Sequence, residues 1–365
     1  MIHPLWVDGR FFSEHRGTHP RPGEHQLQAG GNDRRTDEMT GLGPLSRCVG
    51  CGSRPACLQR ALREAGLVAS GFPPCQGAVT AVAYALTDQS VNAREELGMP
   101  TIETRAGRVA YSELGSGPTV LLLHATLHDR HDFDPIVETL ARRYRTIALD
   151  WPGHGDSDSV GPSLGPSAPL FADVLEDVVD GLGLTRFVLI GNSVGGFAAA
   201  RLAIDRPACV AGLVLVNAGG FIPLSPSTRV FCRVIGTRAF VRLGGPLFVR
   251  AYMKAKTDSD REITKRAVTA MRTAEGVRIE TGLWRSFATP EHDLRSRAAE
   301  LTAPTLIVWG KKDVAIPLRA GRATHDAIPG SRLEILDTGH VVFSSDPDGF
   351  LAVVKPFLES ISLRQ

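Results

Sequence analysis

Short, unbroken apolar runs recur from residue 119 onward: Thr119–Leu123 (TVLLL), Thr146–Leu149, Phe187–Ile190 (FVLI), Leu213–Val216 (LVLV) and Thr305–Val308 (TLIV). Apolar residues in succession, without polar alternation, suit strands covered on both faces, as in a parallel sheet. Arg332–Leu336 (RLEIL) adds a strand near the end. Between these runs the sequence predicts helices over Asp134–Arg142, Phe171–Gly181, Val194–Ile204 and Pro347–Ser360. Strand–helix alternation marks crossover connections, so the expected class is α/β, a mostly parallel sheet flanked by helices. The alternation breaks between Phe221 and Glu300, where the period is helical (RVFCRVIGTRAFVRL, LFVRAYMKAK, ITKRAVTAMRTAEG). That span, 221–300, reads as an inserted helical cap, leaving 99–220 and 301–365 as the core. No internal repeat is visible.

Residues 1–98 read differently. They are rich in Gly, Pro and Arg, hold no lysine, and carry ten basic against ten acidic side chains. Orderly patterning begins at Met99 (MPTIETRAGRVAYSELGSGPTVLLLH). The expectation is that Met99 is the working start, with 1–98 a disordered extension or an upstream segment misassigned to the gene; a third reading makes it a protein-interaction module. Four of the six cysteines fall here: Cys48, Cys51, Cys57 and Cys75, the others being Cys209 and Cys232. Cys48 and Cys51 form a C-x-x-C pair, but Cys57 and Cys75 do not supply the second pair that a structural zinc site usually needs. Unpaired thiols are the expected reading.

Composition changes the picture little. The chain of 365 residues is 43% hydrophobic and 22% charged, enough apolar content to bury a core. A net charge of +2 gives no reason to expect nucleic acid. No apolar run reaches the roughly 18 residues of a membrane span, and MIHPLWVDGRFF lacks a signal-peptide pattern, so a cytoplasmic enzyme is expected. One chain's sequence says nothing of oligomeric state.

The chemistry concentrates in three places. FVLIGNSVGG is a buried strand, then Gly191-Asn192-Ser193-Val194-Gly195, then a helix, the required frame of a G-x-S-x-G nucleophile elbow. The turn needs glycine at 191 and 195, where a Cβ would collide with the adjoining strand and helix. Ser193 then projects at a helix N-terminus whose free amides favour an anion, with the Val194 N–H as one oxyanion donor. A serine hydroxyl needs a base, and among eleven histidines His340, in LEILDTGHVVF just past the last strand, lies at the same sheet edge. Asp313, in TLIVWGKKDVAIP, fits as the carboxylate; the alternative strand end carries Asn217, which cannot be the anion. The order Ser193, Asp313, His340 matches the nucleophile–acid–base order of this arrangement. His154, bracketed by Gly153 and Gly155, reads as turn architecture. His124, His128 and His131 cluster in one loop, but a serine triad needs no metal, and neither metal nor cofactor is expected.

These pieces (GNSVGG, DWPGHGDSD, WGKKDVAIP and DTGH) resemble the α/β-hydrolase superfamily over 99–365. The resemblance implies a cofactor-independent Ser–Asp–His hydrolase and makes Thr126 N–H the second oxyanion donor. Family members usually carry His-Gly where this chain has His124-Ala125. Ester hydrolysis through an acyl-enzyme on Ser193 is the first expectation. Carbon–carbon hydrolysis of a diketone is the rival: Asn192 and Trp309 match members with that activity, but the glycine-rich motif after His124 is missing. A hydrolase-fold ligand receptor without turnover is the non-enzymatic alternative.

The span 221–300 holds fifteen Lys or Arg against eight Asp or Glu, whereas 99–220 holds nine against fourteen. A basic cap over an acidic base would attract an anionic substrate, or lie on a lipid surface, or simply be solvated. Phe221, Phe231, Phe240, Phe248, Trp284 and Phe287 supply an apolar ceiling. The expected partner is a small hydrophobic acyl substrate, with or without a carboxylate, in a pocket that includes His124, Asn192, Trp284 and Trp309.

Overall fold

The computed structural model describes residues 99–161 and 163–361; the readings for 1–98, including Cys48, Cys51, Cys57 and Cys75, lie outside the described residues. The chain enters through two strands that the apolar runs do not mark, β1 (Thr101–Thr104) and β2 (Gly107–Leu114), paired antiparallel. Strand β1 has no buried position and closes one edge of the sheet, where a strand need not be apolar. Then follow β3 (Thr119–Leu123), α1 (Asp134–Ala141), β4 (Arg145–Leu149), α2 (Ala168–Gly181), β5 (Phe187–Asn192), α3 (Val194–Asp205) and β6 (Val210–Val216). Between β6 and the next strand lie α4 (Pro226–Ile235), α5 (Arg238–Leu243), α6 (Gly245–Met253), α7 (Asp258–Ala270) and α8 (Ala274–Ser286). The chain returns as β7 (Thr305–Gly310), α9 (Leu318–Ala327), β8 (Arg332–Leu336), α10 (Val342–Ser345) and α11 (Pro347–Ser360).

The eight strands form one sheet in the order β1-β2-β4-β3-β5-β6-β7-β8, and every pair from β4 to β8 is parallel. The unbroken apolar runs have their cause here: β3, β5, β6 and β7 are buried at every position. Alternate side chains divide between the two faces. Leu121 and Leu123 enter one core with Trp151, Phe171 and Phe197, while Val120 and Leu122 enter another with Phe133 and Phe343. Each such side chain contributes roughly 1.5–3 kcal/mol by leaving water.

The insertion between β6 and β7 consists of short helices, four of the five with side-chain caps at their starts. Ser225, Thr237, Thr257 and Thr273 each accept a backbone N–H three residues on, and Thr257 forms a capping box with Asp260. Such caps stabilise a helix by about 1 kcal/mol each, which matters most when the helix is short. Among the described residues, no helix is long and apolar enough to cross a membrane.

One buried ion pair locks the loop after β4. Asp150 is fully buried, takes the Arg130 guanidinium, and also accepts the backbone N–H of Arg130 at 2.7 Å and of Asp156 at 2.9 Å. Gly155, at φ +49°, passes so close that a Cβ would stand 2.1 Å from the carboxylate. Asp150→Ala removes the buried partner of Arg130 and leaves it only the exposed Asp156 carboxylate at 2.7 Å, so the expected cost is about 3 kcal/mol. Thermal unfolding should show a midpoint lowered by roughly 10 °C.

Candidate active site

Because β3, β5, β7 and β8 run parallel, the loops that follow them meet at one sheet edge, and those loops carry Thr126, Ser193, Asp313 and His340. Ser193 sits between β5 and α3 at φ 55° and ψ −114°, a conformation that ordinary side chains rarely take. The approach around it leaves no room for side chains. A Cβ on Gly195 would stand 2.3 Å from the Leu123 carbonyl, and one on Gly191 2.4 Å from that of Gly195. Ser193 occupies the N-cap of α3, yet its hydroxyl makes no cap bond, unlike Ser167 and Ser225 at their helices. The helix leaves that Oγ free.

His340 and Asp313 are joined by a 2.6 Å hydrogen bond from Nδ1 to Oδ2. The carboxylate fixes the imidazole tautomer, leaving Nε2 as the acceptor. Four donors hold Asp313: His340 and the Asn217 amide, at 2.6 Å each, reach Oδ2, and the Ala315 and Ile316 N–H groups reach Oδ1. Asn217, which stands where the sequence offered no anion, thus grips the anion from the neighbouring strand end. Its own Oδ1 accepts the Gly310 N–H at 2.9 Å, so it also fixes the end of β7.

Ser193, Val194, Thr126 and His340 all line one cavity of about 670 Å3, with Tyr252 and Trp284 in its wall. Ala125 is not the strained member of the β3 loop; the left-handed residue is Leu127, at φ 67°. Two buried neutral histidines impose that path. His154, pushed down to about 3 by burial, accepts the Leu127 N–H at 3.0 Å. His124, also lowered by burial, donates from Nδ1 to the Ala125 carbonyl and accepts the Trp151 N–H at Nε2.

Three expected pocket residues therefore lie elsewhere. His124 is spent on the backbone beneath the loop and does not line the cavity. Asn192 points into the fold, where its amide joins the Val216 carbonyl (2.9 Å) to that of His340 (3.2 Å). Trp309 is a core residue that donates to the Ile316 carbonyl. Trp284 does line the cavity.

The insertion adds polar groups that the sequence did not single out. Glu280, on α8, accepts from the Thr126 hydroxyl at 2.7 Å and from Trp284 Nε1 at 2.6 Å. Tyr252, on α6, heads a buried chain: its hydroxyl bonds His128 Nε2 at 3.0 Å, and His128 Nδ1 bonds Asp132 at 2.5 Å. The Tyr252 carbonyl also accepts the His340 N–H at 3.0 Å. His292 lines the cavity with Nε2 buried and unpartnered among the described residues, and burial pushes it down to about 4. The cavity's one cationic lining residue is Arg319, on α9; no Lys or Arg of 221–300 lines it.

Burial raises the Glu280 carboxyl to about 7, against its two hydrogen-bond donors, from an ordinary 4.5. The folded chain thus keeps a proton that the unfolded chain loses between those values. Its contribution to stability is full below pH 4.5 and is lost as the pH rises through 7. Glu280→Gln should remove this dependence. Relative to wild type, the variant is expected to gain roughly 3 kcal/mol between pH 4.5 and 8. Parallel thermal melts at the two ends check it: a constant difference between the proteins would refute the assignment.

Comparison with known proteins agrees with the geometry. An uncharacterised protein of Mycobacterium tuberculosis is 28% identical over 299 residues, covering 75% of this chain and 86% of its own. A 2-hydroxy-6-oxononadienedioate/2-hydroxy-6-oxononatrienedioate hydrolase of Klebsiella pneumoniae is 30% identical over 270 residues, covering 70% of this chain and 92% of its own. A thermophilic esterase from Thermogutta terrifontis shares the fold, with a TM-score of 0.61 at 24% identity, covering 72% of this chain and 98% of its own. The alpha/beta hydrolase family model matches residues 120–353, and the chain belongs to that family.

Proposed function

We propose that this hydrolase cleaves carboxylic esters through an acyl-enzyme on Ser193. One observation carries the reading: an uncapped hydroxyl on a strained elbow shares its cavity with a histidine whose far nitrogen is held by a carboxylate. Ser193 Oγ attacks the carbonyl carbon while His340 Nε2 takes its proton. The Val194 and Thr126 N–H groups face the developing oxyanion, each such donor typically worth about 100- to 1000-fold in rate. His340 returns the proton to the leaving alcohol, and water then repeats the sequence to release the acid. Side chains and backbone supply every role, so the reaction calls for no cofactor. The helical insertion acts as the cap over the acyl chain. Phe231, Trp284 and Phe287 suit an apolar acyl group, and the lack of insertion cations in the wall favours an uncharged one.

Carbon–carbon hydrolysis is the second reading, favoured by the Klebsiella relative and by the Asp132–His128–Tyr252 chain. Attack on a ketone expels a carbanion, which must receive a proton, and a phenol backed by a buried histidine is placed to give it.

A fluorophosphonate should add once to the wild type, at the Ser193 peptide, and not to Ser193→Ala by intact mass. A folded protein that takes no label would move the receptor reading forward. Asn217→Leu is expected to lower kcat roughly 10- to 100-fold at nearly unchanged KM, because it loosens the acid and not the acyl pocket. Panels of esters and of vinylogous diketones separate the two chemistries. Tyr252→Phe should cost about 100-fold on a diketone and little on an activated ester; an equal loss on both would sink the proton-donor role.

A further inference from the structure

The helices α4 to α6 present a surface unlike the rest of the molecule. No Asp or Glu lies between Asp205 and Asp258, while Arg229, Arg233, Arg238, Arg242, Arg250, Lys254 and Lys256 fall within that span. Arg229, Arg233, Arg238 and Arg242 are exposed and form no ion pair among the described residues. Elsewhere exposed arginines commonly sit on carboxylates: Arg105 on Asp177, Arg108 on Asp158, Arg143 on Glu359. Interleaved with the bare cations are most of the large apolar side chains that the fold leaves in water. Leu243 is 85% exposed and Leu247 72%, with Val230, Phe231 and Val234 exposed on α4. Exposed leucines beside unpaired arginines cost solubility and give nothing to the folded core. Phe231 belongs both to this surface and to the cavity wall, so the patch adjoins the mouth.

We propose that this face docks on an anionic lipid surface, with Leu243 and Leu247 entering the headgroup boundary and the arginines meeting lipid phosphates. Apolar side chains flanked by cations on short amphipathic helices are the composition such docking uses. The charge decides among occupants. A second copy of the chain in a two-fold interface would set these arginines against each other. Residues 1–98 carry ten acidic against ten basic side chains and offer no complementary charge. Docking of this kind would bring an acyl chain to Phe231 without passage through bulk water. It extends the ester-hydrolase reading to a lipid-borne substrate, and vesicle binding tests it without reference to turnover.

The test is flotation of the full chain with phosphatidylcholine vesicles and with vesicles containing phosphatidylglycerol. The anionic vesicles should bind at least about tenfold more tightly, and the preference should shrink with added salt. Arg238→Glu/Arg242→Glu and Leu243→Asp/Leu247→Asp should each lower that binding about tenfold or more at unchanged thermal midpoint. None of these four residues lines the cavity, so hydrolysis of a soluble short-chain ester should persist. Ser193→Ala should float as wild type does, which separates failure of docking from failure of the serine mechanism. Equal binding to both vesicles, or no binding, would overturn the proposal. So would a soluble dimer that Leu243→Asp/Leu247→Asp converts to monomer.

Discussion

The site depends on a backbone turn that leaves no room for side chains. At φ 55° and ψ −114°, Ser193 holds a conformation that costs on the order of 1–3 kcal/mol, and the packing around it must supply that energy. Gly195 lies against the Leu123 and His124 carbonyls, and Gly196 against Ala218, so β5, β3 and the end of β6 close on the turn together. The Ser193 N–H donates to Val216, and its carbonyl accepts from Phe197 and Gly219. Both backbone groups of Ser193 are thereby used, and its hydroxyl is left over.

Around that hydroxyl the fold satisfies polar groups by cross-bracing neighbouring strand ends. Asn217 holds Asp313, Asn192 holds the His340 carbonyl, and the Tyr252 carbonyl holds the His340 N–H. The Asp313–His340 pair is thus held from three elements. The neutral histidines beneath the loop after β3 act in the same way. Burial strips the charge from His124 and His154, and only as neutral rings can they accept the Trp151 and Leu127 amides.

How far the sequence revealed this follows from the range of each interaction. Strands buried on both faces announce themselves as apolar runs, and the elbow is a local motif; both were legible. Strands β1 and β2 were not: β1 is a polar edge strand, and β2 beside it buries two of its eight positions. His124, Asn192 and Trp309 were expected in the pocket from the family resemblance, but their side chains are committed to bonds within the fold. Asn217 was noticed only as a residue that could not be the anion, although an amide one strand from a carboxylate is well placed to grip it. Glu280 left a weaker trace: an acid four residues before Trp284, on the buried stripe with Val277 and Thr281. Its partner Thr126 is 154 residues away, beyond any local pattern.

These braces also constrain how substrate enters. The insertion supplies the Tyr252 carbonyl to His340 and the Glu280 carboxyl to Thr126, so lifting it whole would release His340 and the loop after β3 together. A part of the wall that spares both contacts is the segment before α4 and α4 itself, where Leu224, Ser227 and Phe231 line the cavity. These residues hold no bond to Ser193, Asp313 or His340, whereas Ala315 and Ile316 on the loop after Asp313 grip its carboxylate. Movement confined to the α4 segment would leave Asp313 and its four donors, His340 among them, in place.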